Sequence, residues 1–349
     1  MTSRLRSLVE RIGPPQQAFA DQARARQAQL VKPPGSLGRL EALAAQIAAI
    51  QGTDQPQAHP RAIVVFCADH GVCAEGVSAF PPRITHQHLR NFVNGRAAVA
   101  VLAEMTQSEL VICDVGVDAD VSHLASVRHG KVRRGARNFA IEPALTAEEA
   151  ERAMLFGCDA VDELAERGIR AVAIGEMGIG NTTAAAAVTA ALTGKPPEAV
   201  TGCGSGLSAD GVARKIAVIQ GALERHQPRA DDPLDILVKV GGLELAAMCG
   251  AFLGCAARGC VAVADGFVST AAAALAVAYA PAAREFIAFG HRSAEPGHQA
   301  LLDFLEATPL LQLEMRLGEA SGAALAFSIL DAACRLHAGM ATFAEAQMS

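Results

Sequence analysis

Short runs of continuous apolar residues alternate along this chain with longer stretches of helical period. The runs lie at 62–68, 110–115, 171–174, 260–264 and 285–289. Runs this short, apolar at nearly every position, predict strands covered on both faces. Helical periodicity fills 39–51, 84–104, 146–167, 208–226, 243–258, 266–279, 296–305 and 319–338, and an Ala-rich helix follows the turn after 171–174. Thr146 and Glu149 form a capping box at the start of 146–167. The first 31 residues are polar and helical in pattern, with Leu5, Leu8, Val9 and Ile12 on one face. The Pro- and Gly-rich loop Lys32-Pro33-Pro34-Gly35-Ser36-Leu37-Gly38 follows them. Strands alternating with helices predict an α/β fold, a mainly parallel Rossmann-like sheet with helices on both faces. The terminal helical segments have no strand to accompany them. They predict a small helical domain from 1–58 and 306–349, beside a large α/β domain at 59–305.

Composition removes several function classes. The net charge is −6, and the chain reads as lacking a basic block, which argues against a nucleic-acid partner. Aromatics are 4%, with no Trp and one Tyr, so platforms for stacking bases are scarce. The nine cysteines are odd in number, contain no Cys-x-x-Cys and sit mostly in apolar runs. Free, buried thiols in a reducing compartment are expected. The charged N-terminus has no apolar core of a signal peptide. Residues 266–283 lack charge but are mostly Ala, with Ser269, Thr270 and Pro281, so they predict a buried helix rather than a membrane span. The expectation is a cytoplasmic enzyme with no membrane partner.

In doubly wound folds, ligands sit where strands end and helices begin. Five such turns carry chemistry. Asp69-His70-Gly71 follows the first run, and Gln87 lies downstream between His86 and His88. His86 and His88 are two apart on a helix, which suits no shared metal ion. The turn Gly175-Glu176-Met177-Gly178-Ile179-Gly180-Asn181-Thr182-Thr183 joins strand to helix, the arrangement that binds anions through exposed N–H groups. It is neither a Walker A loop nor a dinucleotide fingerprint. Glu176 would repel a phosphate there, which points it at a sugar hydroxyl or a developing cation. Gly202-Cys203-Gly204-Ser205-Gly206 precedes a helix carrying Lys215, within reach of an anion. The stretch 290–298 holds two His, one Arg and one Glu. Arg316-Leu317-Gly318-Glu319 opens an apolar helix, and Glu319 reads either as a cap or as a desolvated base.

Together these turns, with Val240-Gly241-Gly242 and Asp265-Gly266-Phe267, resemble one family across nearly the whole chain. It is the nicotinate-nucleotide–dimethylbenzimidazole phosphoribosyltransferase family of cobalamin lower-ligand assembly. The resemblance implies transfer of ribose 5-phosphate from nicotinate mononucleotide to 5,6-dimethylbenzimidazole, giving α-ribazole 5′-phosphate and nicotinate. It implies a homodimer with no cofactor. It casts Glu319 as the general base and Glu176 as a carboxylate near the ribose. It gives phosphate or ribose contacts to Gly178, Gly180, Gly204, Lys215, Ser293 and Arg316. Gln87 falls in the base pocket, and the variable stretch with Ala79 and Phe80 lines it. The chemistry is economical. A pyridinium leaves as a neutral ring and needs no general acid, unlike an O-glycoside. No pyrophosphate leaves, so no metal is demanded. Two rivals stand beside this reading: a nucleotide-dependent oxidoreductase and a protein that only binds benzimidazoles or their ribosides.

Overall fold

The computed structural model describes residues 2–347. At its centre lies one six-stranded sheet of β1 (Arg61–Ala68), β2 (Glu109–Gly116), β3 (Val127–His129), β4 (Ala171–Met177), β5 (Val261–Ala264) and β6 (Ile287–Phe289). Every pairing is parallel, and the spatial order is β3-β2-β1-β4-β5-β6. Helices flank the sheet, so the fold is the expected α/β one. The strand order reverses between β1 and β4, the switch point beside which such sheets bind ligands. Register sets the level of the strand ends there. Phe66 pairs with Glu176 and Cys67 with Met177, so β1 and β4 end at the same level.

The hydrophobic pattern locates most elements. β1 is buried at all eight positions, as a strand covered on both faces must be. It does not reveal β3, which is three residues long and includes Arg128 and His129. Residues 285–289 are only partly strand, because Pro281–Phe286 turns as a 3-10 helix. The helix expected over 84–104 is two, Arg83–Val93 and Ala98–Met105, parted at Gly95 with φ +69°. Pro14 and Pro15 likewise divide the first segment into Ser3–Glu10 and Gln17–Gln29. The short helix Pro233–Val240 also lies outside the pattern.

The basic stretch at 128–137 corrects the reading of a chain without a basic block. Its charges are largely spent internally: Arg128 pairs with Glu163, Lys131 with Asp114, and Arg133 and Arg137 with Glu149. Residues 267–279 are a thirteen-residue helix with its first ten residues buried. No helix among the described residues is long and apolar enough to cross a membrane.

The chain ends meet. Arg26 donates to the carbonyls of His337 and Ala338, and Leu30 bridges Thr342. Ala20, Ala23, Ala45, Ala48 and Ala49 form a small apolar cluster of their own. Leu5, Ile47 and Phe327 nevertheless belong to the same core as the sheet. A lobe built from 1–58 and 306–349 is therefore a proposal about segments that share that core, and residues 1, 348 and 349 lie outside the described ones.

Two glycines let the helices Ala147–Glu166 and Leu243–Arg258 touch backbone to backbone. A β-carbon on Gly157 would stand 2.8 Å from the Ala247 carbonyl carbon and 3.0 Å from the Ala251 nitrogen, with nowhere to move. We expect Gly157→Ala to cost about 3 kcal/mol by overpacking. Chemical denaturation reads this as a lower midpoint, and a loss below about 0.5 kcal/mol would contradict so close an approach.

Candidate active site

A cavity of about 320 Å³ opens where the sheet predicts it, at the ends of β4, β5 and β6. Its lining includes Glu176, the turn 177–182, Gly204, Asp265, His291, Ser293, Glu295 and 316–318. The volume lies within the range of small-molecule sites.

Glu176 reaches the floor because β4 carries its side chain to the strand's last turn. Asn181, at the start of the helix Asn181–Thr193, donates to its Oε2. Burial, and then the charges of Glu244 and Asp265, push its proton affinity up to about 8 from the usual 4.5; the Asn181 bond pulls the other way. Glu244 is itself fully buried and pairs with His70 Nε2 at 2.6 Å. This His70–Glu244 pair lies beside the floor, next to Gly242 and close to Gly178.

Glu319 comes from the other wall. Sequence reading has it open the last helix, but the helix begins two residues later, at Ser321. Glu319 and Ala320 sit in the left-handed region, with φ +62° and +64°. That conformation is costly for residues with a side chain, and it persists only where the surroundings impose it. The surroundings here are explicit. Glu319 N–H donates to the Glu176 carbonyl at 3.2 Å, and Ser321 Oγ donates to the Gly318 carbonyl at 2.7 Å. Asp265 accepts from the N–H groups of Gly322 and Ala323 at 2.7 and 2.9 Å, holding the helix start against β5. Gly175 permits the approach, since a β-carbon there would stand 2.7 Å from the α-carbon of Ala320. The Glu319 side chain is buried, with His88 Nε2 at 2.6 Å from Oε1 and no partner on Oε2 among the described residues.

The opposite side holds the cations. Lys215 is fully buried, and its Nζ donates to Thr182 Oγ1 at 2.8 Å and to the Gly202 carbonyl at 3.4 Å. Burial lowers its proton affinity to about 8, against the upward pull of Glu295. Arg316 donates to the Gly204 carbonyl at 2.9 Å, tying the loop before the last helix to the Gly204 loop. Glu295 accepts from Gly204 N–H at 3.0 Å. The cavity is thus polarised, with one exception. Carboxylates gather around the end of β4, and cations gather behind the glycine turns, where the buried Glu295 carboxylate lies among them. Among the described residues, no group of three or more His, Cys, Asp or Glu is placed to hold a metal ion.

The family model described as phosphoribosyltransferase matches residues 12–348. A Pseudomonas putida KT2440 protein named nicotinate-nucleotide–dimethylbenzimidazole phosphoribosyltransferase is 50% identical over 333 residues, 95% of either chain. A protein of the same name from Chloroflexus aurantiacus is 47% identical and covers 99% of this chain and 98% of its own. The crystal structure of CobT from Thermus thermophilus superposes with a TM-score of 0.92 at 46% identity, covering 95% of this chain and 99% of that one. This chain belongs to that phosphoribosyltransferase family.

The fold gathers most of the expected site residues of this phosphoribosyltransferase. Glu176, Gly178, Gly180, Gly204, Ser293, Arg316 and Phe80 line the cavity. Lys215 stands behind the lining, bonded to Thr182 and to the Gly202 carbonyl. Glu319 stands just past Gly318, its carboxylate still covered. Two expected residues lie elsewhere. Gln87 and Ala79 are exposed and outside the lining; Val77 and Ser78 line the wall beside Phe80. The turn at 290–298 divides by role. His298 uses both ring nitrogens, accepting from Ser293 N–H at 2.8 Å and meeting Thr270 Oγ1 at 3.0 Å, so it shapes the loop. Burial holds it neutral, at about 3. Sequence reading misses His88 as a partner of Glu319, because its spacing speaks only to metal binding. It also misses Glu244, which lies inside an apolar helix.

The Glu176 environment makes a signed prediction. Below pH about 4.5 the carboxyl is protonated in folded and unfolded chains alike. Between there and about 8 the unfolded chain ionises while the folded one resists, so the native carboxyl costs stability as the pH rises. Glu176→Gln should therefore stabilise the free protein by about 2–3 kcal/mol at neutral pH and by little at pH about 4.5. Melting across that range checks it, and a gain that does not grow with pH would contradict the buried carboxyl.

Proposed function

We infer that this chain transfers ribose 5-phosphate from nicotinate mononucleotide to 5,6-dimethylbenzimidazole, the step that makes α-ribazole 5′-phosphate for the cobalamin lower ligand. Beyond family membership, the polarised cavity carries this reading. A nucleotide with a phosphate at one end and a pyridinium at the other matches a site with cations behind glycine turns and carboxylates across from them. The phosphate sits against the turn 178–182, at a helix N-terminus, where Ile179 and Asn181 N–H are taken by Thr85 Oγ1 and the Gly178 carbonyl and those of Gly180 and Thr182 face the ligand. Lys215 fixes that turn through Thr182 and adds positive charge. Ser293 and Arg316 border the same end.

The chemistry follows from the two carboxylates. A benzimidazole nitrogen attacks C1′ opposite the nicotinate. The C1′–N bond breaks, its electron pair returns to the ring, and nicotinate departs without a proton. Attack from the opposite face turns the β linkage into α. Positive charge grows on the ribose, and Glu176 stabilises it across a short, water-poor distance. The other benzimidazole nitrogen gives its proton to Glu319 Oε2, the buried oxygen without a partner. The residues of 77–80, with Phe80 exposed at the mouth, offer an apolar edge for the flat base.

The same reading includes a second copy of this chain. Val101 and Met105 stand exposed one helical turn apart on Ala98–Met105, and Leu313 and Leu317 are exposed near the cavity mouth. These apolar side chains support a homodimer. The free thiols support a reducing, cytoplasmic setting. Light scattering should find about twice 36.0 kDa, and a monomer at micromolar concentration would contradict the dimer.

Purified protein incubated with nicotinate mononucleotide and dimethylbenzimidazole should yield ribazole phosphate and nicotinate in equal amounts by chromatography and mass spectrometry. Glu319→Gln should bind the nucleotide as before and lose about a hundredfold or more in kcat. Binding without any product from the unaltered chain would favour a protein that only sequesters its ligands. Near-normal turnover in Glu319→Gln would remove Glu319 from the base role.

A further inference from the structure

One polar side chain at the site has no part in the scheme above. His88 lies on the helix Arg83–Val93, and its Nε2 is 2.6 Å from Glu319 Oε1. The bond crosses 231 residues of sequence and is, among the described residues, the only polar contact of the Glu319 carboxylate. The ring is held on other sides. Its edge meets the Phe92 ring at 4.7 Å, and Asn91 Nδ2 lies 3.5 Å from Nδ1. An amide N–H facing Nδ1 favours the tautomer with the proton on Nε2, the one that donates to a carboxylate. About a quarter of the side chain remains open to solvent, whereas Glu319 is almost closed off.

We propose that His88 is a positioning residue for the transfer, holding Glu319 Oε1 by an Nε2–H bond so that Oε2 alone is left to take the benzimidazole proton. The inference rests on the reaction proposed above. Two consequences follow from the geometry. The bond fixes the carboxylate's rotamer on a backbone that is already constrained at φ +62°. The exposed edge of the ring links the buried carboxylate to water, where the proton must finally go. Glu176 at the end of β4 is the carboxylate whose charge reaches Glu319, while Asp265 and His291 lie against Gly322 further along the helix start. Among the described residues only His88 bonds the Glu319 carboxylate directly.

The test compares His88→Leu with His88→Gln in the full-length protein. Leu fills the space and removes the donor. Gln can place an N–H near the position of Nε2. The wild type is assayed first, with nicotinate mononucleotide and dimethylbenzimidazole. We expect His88→Leu to keep its melting temperature and its KM for the nucleotide and to lose about tenfold to a hundredfold in kcat near neutral pH. His88→Gln should recover most of kcat. An unchanged kcat in His88→Leu would overturn the proposal. So would a Gln variant as slow as Leu at an unchanged KM and melting temperature, since that pattern belongs to packing alone. An inactive wild type would instead overturn the proposed reaction itself.

Discussion

The helix Ser321–Gly339 begins at the cavity because Asp265 accepts two of its first N–H groups, at 2.7 and 2.9 Å. Those groups would otherwise lack partners. The carboxylate is fully buried just past β5, and burial raises its proton affinity while His291 and the backbone donors pull it back down. The remainder of the site is built on this bond. It fixes the helix start, and the helix start fixes a turn in which two residues with side chains adopt left-handed φ. That turn hands Glu319 N–H to the Glu176 carbonyl and brings both carboxylates to one place. β4 contributes through Gly175, whose missing side chain lets the turn lie directly on the strand.

A second constraint is electrostatic. Glu176, Glu244, Asp265 and Glu319 converge where no cation among the described residues neutralises them all. His70 takes the buried Glu244, and His88 takes one oxygen of Glu319. Glu176 has an amide partner only, and its high proton affinity records the deficit. The deficit suits a substrate that brings its own positive charge. In the proposed reaction a pyridinium ring, and then a ribosyl centre that turns cationic, brings the positive charge that favours the ionised carboxylate. The free protein holds this arrangement at some cost to stability, as binding sites often do. The opposite wall keeps Lys215 and Arg316 close to the loop at 202–204, so the two ends of a nucleotide meet opposite charge.

Local chemistry in the sequence foretold the parts that depend on neighbours along the chain. The apolar runs gave away the central strands, and the strand–turn–helix at 171–183 marked a stretch that lines the cavity. Contacts between distant segments were not legible. Glu319 looked like the first residue of a helix, because a left-handed turn leaves no mark when its residues are Glu and Ala. His88 looked like a poor metal ligand, since nothing near it in sequence is the carboxylate it meets. Glu244 is hidden in a helix apolar enough to be read as core. Gln87 and Ala79 came from the family resemblance, and in this chain their side chains face solvent beside the residues that line the wall. β3 is too short and too charged to show any period.

In the proposed reaction Glu176 serves the ribosyl carbon and Glu319 takes the benzimidazole proton while the glycine turns hold the phosphate. Diffraction from crystals of the Glu319→Gln protein with nicotinate mononucleotide and dimethylbenzimidazole tests this most directly. C1′ should lie between the nicotinate and benzimidazole rings, with the attacking nitrogen about 3–3.5 Å away and Glu176 beside the ribose. The phosphate should lie on the N–H groups of 178–182, and the second benzimidazole nitrogen should face residue 319. A nucleotide bound the other way round, with its phosphate against Glu176 or outside the cavity, would contradict it.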